Sequence, residues 1–189
     1  MHKLEPHLRW ESFYDSSMDP DSPFFGKEYN YDLYSENIYG YYIDPGWDFM
    51  GSETLYLKIL YIDDDESFCV IQLIGEWNDA INNDIMYFKR NILDPLMLRG
   101  IKRFALIGDY VFNFHGSDDC YYEEWKEELA EEGWIVALNF RDLVESEWNN
   151  YGLAAYMFFG EGWEFENWRT MSPLGLLGMI QKKLASVIG

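Results

Sequence analysis

Cysteine is scarce in this chain, with two residues in 189, far too few for the disulfide framework that holds small secreted domains together. Basic residues are scarce as well: 14 Lys and Arg stand against 34 Asp and Glu, a net charge of −20 with the histidines neutral. A nucleic-acid binder gains most of its non-specific affinity by neutralising phosphates with Lys and Arg. Here the short groups Lys89-Arg90, Arg99 to Arg103 and Lys182-Lys183 lie inside or beside apolar periodic segments and form no basic patch. No nucleic-acid partner is expected, and the same repulsion disfavours an anionic membrane surface. The start Met1-His2-Lys3-Leu4-Glu5-Pro6 lacks the apolar core of a signal peptide. No stretch approaches the ~18 uninterrupted apolar residues of a membrane span. The expectation is a soluble, cytoplasmic protein. Histidines number three, and neither H-E-x-x-H, nor paired C-x-x-C, nor a phosphate-cradling G-x-x-x-x-G-K-[ST] occurs.

What is present is apolar and aromatic bulk. Leu, Ile, Val and Phe make up 51 of the 189 residues, above the share of about 20% below which a highly charged chain stays disordered. Residues 1–53 hold four of the six prolines and seven of the fifteen tyrosines. Turn clusters such as Asp19-Pro20-Asp21-Ser22-Pro23 make this a poor place for regular helices. Trp10, Phe13, Tyr14, Phe24, Phe25 and Trp47 would each leave a large apolar face in water if the segment were loose. It reads as an irregular, aromatic- and proline-rich wrap over the main sheet, with one strand at about 38–43 ended by Asp44-Pro45-Gly46.

From residue 54 to 189 the pattern is that of an α/β domain, forming one folded unit with the wrap. Thr54 to Ile62 and Phe68 to Gly75 flank the acidic turn Asp63-Asp64-Asp65-Glu66 and predict a β-hairpin. The period then changes. Ile81, Ile85, Phe88, Ile92 and Leu96 form the stripe of an amphipathic helix capped by Asp79, kinked or restarted at Pro95 and stopped by Gly100. Ile101 to Ile107 predicts a strand, and residues 108–116 a loop. A helix opens at Ser117-Asp118-Asp119 with Tyr121, Trp125 and Leu129 on its apolar stripe. Trp134 to Phe140 predicts a strand, Arg141 to Trp148 a short helical turn, and Leu153 to Phe159 a further strand. Ser172 and Pro173 start a C-terminal helix with Leu177, Ile180, Leu184 and Val187 on one face. The fold class is α/β: a single domain with a mixed sheet, antiparallel at its N-terminal hairpin and parallel where strands and helices alternate.

In an open α/β sheet, ligands bind outside the carboxyl ends of the parallel strands. Two such ends stand out, Gly75 to Asp79 and Gly108 to Asp119. If the strands before them are parallel neighbours, Glu76, Asp79, Asp109 and His115 converge as oxygen and imidazole ligands for a divalent metal, with a bound water as nucleophile. His115 and Asp109 are then the candidate catalytic residues of a metal-assisted hydrolase or transferase. Glu76, Trp77, Asp79, Tyr110, Ser117 and Asp118 are candidate binding residues. Each has a structural reading as well: Asp79, Ser117 and Asp118 as helix caps, Asp109 as a turn residue, His115 as a locally bonded loop histidine. Cys120 lies in a first helical turn, which lowers its pKa, beside Asp118, Asp119, Glu123 and Glu124, which raise it. Cys69 reads as a small buried hydrophobe. Trp163, Phe165 and Trp168, among the acids of 160–168, offer a face for a cation or basic peptide, or tuck into the core.

Val111-Phe112-Asn113-Phe114-His115-Gly116-Ser117 joins a central strand to a helix within an order of elements that, from about residue 54 onward, resembles that of STAS domains. These are the anti-sigma-factor-antagonist class, with the SpoIIAA-like proteins related to them. Many members carry a phosphorylatable serine at that helix N-terminus, and the resemblance places Ser117 there. His115, Gly116 and Asp118-Asp119 stand in place of the family's acid and small residues. The resemblance implies a protein-interaction role. The reading that results is an acidic α/β binding or regulatory module acting on a protein partner, with the metal-assisted enzyme as the alternative.

Overall fold

The computed structural model describes residues 4–34, 37–38 and 41–188. A central sheet follows from the β-branched and aromatic runs of the sequence: β3 (Asp48–Phe49), β4 (Leu55–Asp63), β5 (Phe68–Asn78), β6 (Arg103–His115) and β7 (Trp134–Leu138), hydrogen-bonded in that order. A separate antiparallel pair, β1 (Asn37–Ile38) and β2 (Tyr41–Tyr42), belongs to the wrap. Residues 39–40 of the strand predicted at 38–43 lie outside the described residues. β3 and β4 are antiparallel, as are β4 and β5, whereas β5–β6 and β6–β7 are parallel. The molecule is therefore the single α/β domain with a mixed sheet that the sequence predicts, and the sheet has five strands.

The helix predicted from residue 79 is four successive pieces: α1 (Asp79–Asn82), α2 (Asp84–Phe88), a π-helical turn at Lys89–Leu93, and α3 (Asp94–Leu98). Asn83 breaks the first two apart because its backbone is left-handed (φ 55°), a conformation that asparagine tolerates better than most residues. Further on come α4 (Cys120–Glu128), α5 (Asp142–Asn150) and α6 (Pro173–Ile188). Ser172 Oγ accepts the Gly175 N–H at 3.1 Å, the predicted cap of α6. Its Leu177, Ile180 and Leu184 are buried, while Val187 is exposed.

Burial on both faces explains why the central strands are nearly continuous apolar runs. One face packs Leu57, Ile71, Leu73 and Trp77 against Phe88, Trp125 and Trp148. The other packs Val70, Ile107 and Leu138 against Trp10, Trp168 and the inner side of α6. The wrap adds Ile38, Ile43 and Trp47 over Tyr56 and Ile74. It is tied down by hydrogen bonds as well: Trp10 Nε1 donates to the Met171 carbonyl at 3.0 Å, and the His7 N–H donates to Gln72 Oε1 at 2.9 Å.

Two local expectations are corrected. Leu153 to Phe159 is not a strand; it opens with a 3₁₀ turn at Leu153–Ala155 and touches the sheet through one bridge, Val136 to Phe158. Its buried positions Leu153 and Met157 are four apart rather than two. β5 and β6 run on to Asn78 and His115, so most of the predicted 108–116 loop is strand. Irregularities between Gln72 and Ile74 and between Gly75 and Glu76 make β6 supply the extra residues. Gly75 sits at one of them with φ +120°, where a Cβ would lie 2.0 Å from the Thr54 carbonyl oxygen. Only glycine fits there.

Candidate functional site

β5 and β6 are parallel neighbours and finish together, with Glu76 opposite Asn113, Trp77 opposite Phe114 and Asn78 opposite His115. Both predicted rims therefore lie at one end of the sheet. His115 Nε2 is 3.1 Å from Glu76 Oε1 and 2.9 Å from Asn113 Nδ2. Asn78 Nδ2 donates to Glu76 Oε1 at 3.2 Å, and Asn78 Oδ1 accepts the Ile81 N–H at 2.9 Å. Asn78, not Asp79, thus caps α1. The sequence pointed to Glu76 and His115 and missed Asn78, although asparagine is a favoured cap.

Asp79 instead turns inward. Its residue is 4% exposed, and its carboxylate accepts from Trp77 Nε1 at 3.0 Å, the Ile85 N–H at 2.8 Å and the Tyr122 hydroxyl at 2.6 Å. Burial nonetheless pushes the carboxyl up to about 6, with the three hydrogen bonds opposing and the nearby Asp84 charge adding to the rise. Asp84 is 0% exposed; its Oδ2 accepts the Asn78 N–H at 2.7 Å and lies 3.4 Å from Thr54 Oγ1. Burial also raises the Asp84 pKa. These two acids fasten β5, α2, α4 and the segment leading into β4 around the sheet end.

Above Asp79 a cleft of about 260 Å³ opens between α1–α2 and the loop into α4, lined by Asp79, Ile81, Asn83, Ser117, Asp118 and Tyr121 among others. Three of the predicted binding residues, Asp79, Ser117 and Asp118, meet here. Ser117 does not cap α4: the helix starts at Cys120, and Asp118 Oδ1 reaches the Cys120 N–H at 3.3 Å. Ile81, placed by its spacing in a buried stripe, is 83% exposed at the cleft mouth, because the break at Asn83 takes it out of phase with Ile85.

The remaining predicted residues lie elsewhere. Trp77 is fully buried among Phe88, Phe114, Tyr122 and Trp148, so it packs the core and presents nothing to a ligand. Asp109 is on the opposite sheet face, paired with Arg169 and accepting from Trp168 Nε1 at 3.3 Å. Tyr110 packs against Trp47 and under Arg169 there. The four expected metal ligands therefore divide into a rim pair, Glu76 and His115, a core acid and an acid on the far face. Among the described residues no group of three or more His, Cys, Asp or Glu is placed to hold a metal ion.

The two thiols are also placed. Cys69 is buried, which pushes its pKa far up, and Cys120 is exposed with its pKa raised chiefly by the hydrogen bond to Asp118. Since the thiolate is the nucleophile, iodoacetamide at pH 7.5 is expected to alkylate Cys120 more slowly than free cysteine and Cys69 only after unfolding. Mass spectrometry of timed samples reads both rates, and a Cys120 rate above that of free cysteine would contradict the assigned environment.

Compared with family models and with curated proteins, the sequence matches none.

Proposed function

We propose that this chain is an acidic binding module that engages a basic protein partner through the carboxyl end of its sheet. The observation that carries the reading is the cleft between α1–α2 and the α4 loop, where exposed Ile81 stands beside Asp118 and above Asp79. An apolar contact rimmed by acids suits a partner segment that alternates aliphatic and cationic side chains. The net charge of −20 adds long-range attraction for such a partner and repels polyanions. The resemblance of the predicted element order to that of STAS domains adds support for a protein-interaction role.

A blocked peptide of alternating lysine and leucine serves as probe in a calorimetric titration of the full chain. Replacing Ile81 by serine together with Asp118→Asn is expected to weaken binding at least about tenfold, the loss of a desolvated apolar contact and one nearby charge. Leu98 is 90% exposed on α3, near the opposite end of the sheet, and Leu98→Ser is expected to leave the affinity unchanged. Equal affinities for the cleft variant and the unaltered chain would overturn the reading.

The metal-assisted alternative keeps one favourable observation, the Glu76–His115 contact at 3.1 Å. Titration with magnesium, manganese, calcium and zinc tests it. Stoichiometric binding abolished by Glu76→Gln with His115→Ala would favour the enzyme.

A further inference from the structure

Lys58 and Gln72 face each other across β4 and β5, in the middle of two otherwise apolar strands, and both are buried, at 4% and 0% exposure. They lie on the sheet face that the wrap covers, between the cluster around Trp10, Leu60 and Val70 and the cluster around Trp47, Tyr56 and Ile74. Lys58 Nζ stands 3.7 Å from Asp48 Oδ2 and 4.0 Å from the centre of the Tyr29 ring. The Asp48 distance is too long for a direct hydrogen bond and is of the kind that a water bridges. Asp48 Oδ1 accepts from Lys27 Nζ at 2.6 Å and the Tyr29 hydroxyl at 2.8 Å. Asp48 Oδ2, Gln72 Nε2 and His7 Nε2, by contrast, are buried with no hydrogen-bond partner among the described residues. The His7 N–H holds that residue against Gln72 Oε1 at 2.9 Å. Between the wrap and β4 is a void of about 10 Å³ for the centre of a water-sized sphere, with His7 and Lys58 both in its wall. A cavity of about that size, lined by two to four polar groups, holds one water.

We propose that Lys58, Gln72, His7 and Asp48 form an internal water-binding site, in which one long-lived water accepts from Lys58 Nζ and Gln72 Nε2 and donates to Asp48 Oδ2 and His7 Nε2. The donor and acceptor set selects the ligand. Two N–H donors and two acceptors match a water molecule, which offers two of each. An anion would be repelled by Asp48 and by Glu11 and Asp15 of the void wall, and a cation by the Lys58 ammonium. Burial, then Arg169 and Arg9, lower the His7 pKa to about 4, so near pH 7 the ring is neutral and has a nitrogen free to accept. His7 and Asp48 come from the wrap, Lys58 and Gln72 from the sheet. The site is complete only with the wrap closed, and its water is a bridge that fastens one to the other. It lies on the sheet face opposite the cleft and stands apart from the partner site.

A crystal structure of the full chain at a resolution that shows ordered water tests the site directly. The expected result is one density peak in the void, within about 2.7–3.2 Å of Lys58 Nζ and His7 Nε2, with no anomalous signal there after a bromide soak. Oxygen-17 relaxation dispersion of the unaltered chain reads long-lived waters in solution. Lys58→Met, which keeps most of the stem and removes the ammonium, is expected to lose the contribution of one such water, and His7→Phe to do the same. A void without density, a bromide peak in it, or Lys58 Nζ bonded directly to Asp48 Oδ2 overturns the site. So does a dispersion that folded Lys58→Met and His7→Phe chains leave unchanged.

Discussion

Replacing Trp77 by alanine is expected to cost about 3–5 kcal/mol of folding stability, the range for truncating a large aromatic side chain in a packed core. The indole is fully buried with ring centroids 5.8 Å from both Phe88 and Trp148, 6.2 Å from Phe114 and 6.3 Å from Tyr122. Its Nε1 also donates to Asp79, so truncation removes a hydrogen bond from a buried acid in addition to leaving a void. Urea unfolding followed by circular dichroism measures the change. A midpoint shift worth less than about 1 kcal/mol, typical of exposed positions, would mean that Trp77 faces a ligand as its place in the sequence first indicates.

Asp79→Asn is expected to act in the opposite direction and only above pH 4. The folded-state carboxyl titrates at about 6, against an ordinary value of 3.8. The folded protein therefore binds more protons than the unfolded chain between those values, and stability falls as pH rises through them. The contribution is fully present below 3.8 and lost above about 6. Asparagine keeps Oδ1 as acceptor for the Trp77 and Ile85 N–H groups and removes the buried charge. The variant is expected to be more stable than the parent at pH 7.5 by on the order of 3 kcal/mol, and equal to it near pH 4. His7 works against this slope in the parent. Burial, then Arg169 and Arg9, lower its pKa to about 4, so its contribution is present above 6.5 and lost as pH falls. For that reason the difference between variant and parent, measured by denaturant titration at several pH values, carries the test. A variant less stable than the parent at pH 7.5 would show that the ionised carboxylate is the favoured form.

Several elements were legible because their chemistry is local. The acidic tip Asp63 to Glu66 marks the β4–β5 hairpin, and Ser172-Pro173 marks the start of α6. The parallel pairing of β5 with β6 followed from the helical stripe between them. Other features depend on contacts that no spacing reveals. Gly108 looked like the end of a strand, but it is the place where the Phe140 ring lies so close that a Cβ would be 2.4 Å away, and β6 continues through it. Asp109 shares the face of Ile107, two residues before it and opposite Asp79, and the extra residue of β6 between Ile107 and Tyr110 brings Tyr110 to that face as well. Ile81 fits a helical stripe in sequence and is exposed in space because Asn83 breaks the helix. Asp79 has the spacing of a cap and the surroundings of a core residue; burial by Trp77 and Tyr122, 43 residues apart from it in the second case, decides between them.

Amide chemical-shift mapping of the ¹⁵N-labelled chain with the lysine–leucine peptide shows whether a basic partner docks at the sheet's carboxyl end. Saturable shifts concentrated in residues 76–85 and 113–122 are expected, with Ile81 and Asp118 among the largest, weakening as salt is raised. Shifts spread evenly over the acidic surface, or centred on the Leu98 end of the sheet or on the far face around Asp109 and Arg169, would contradict it.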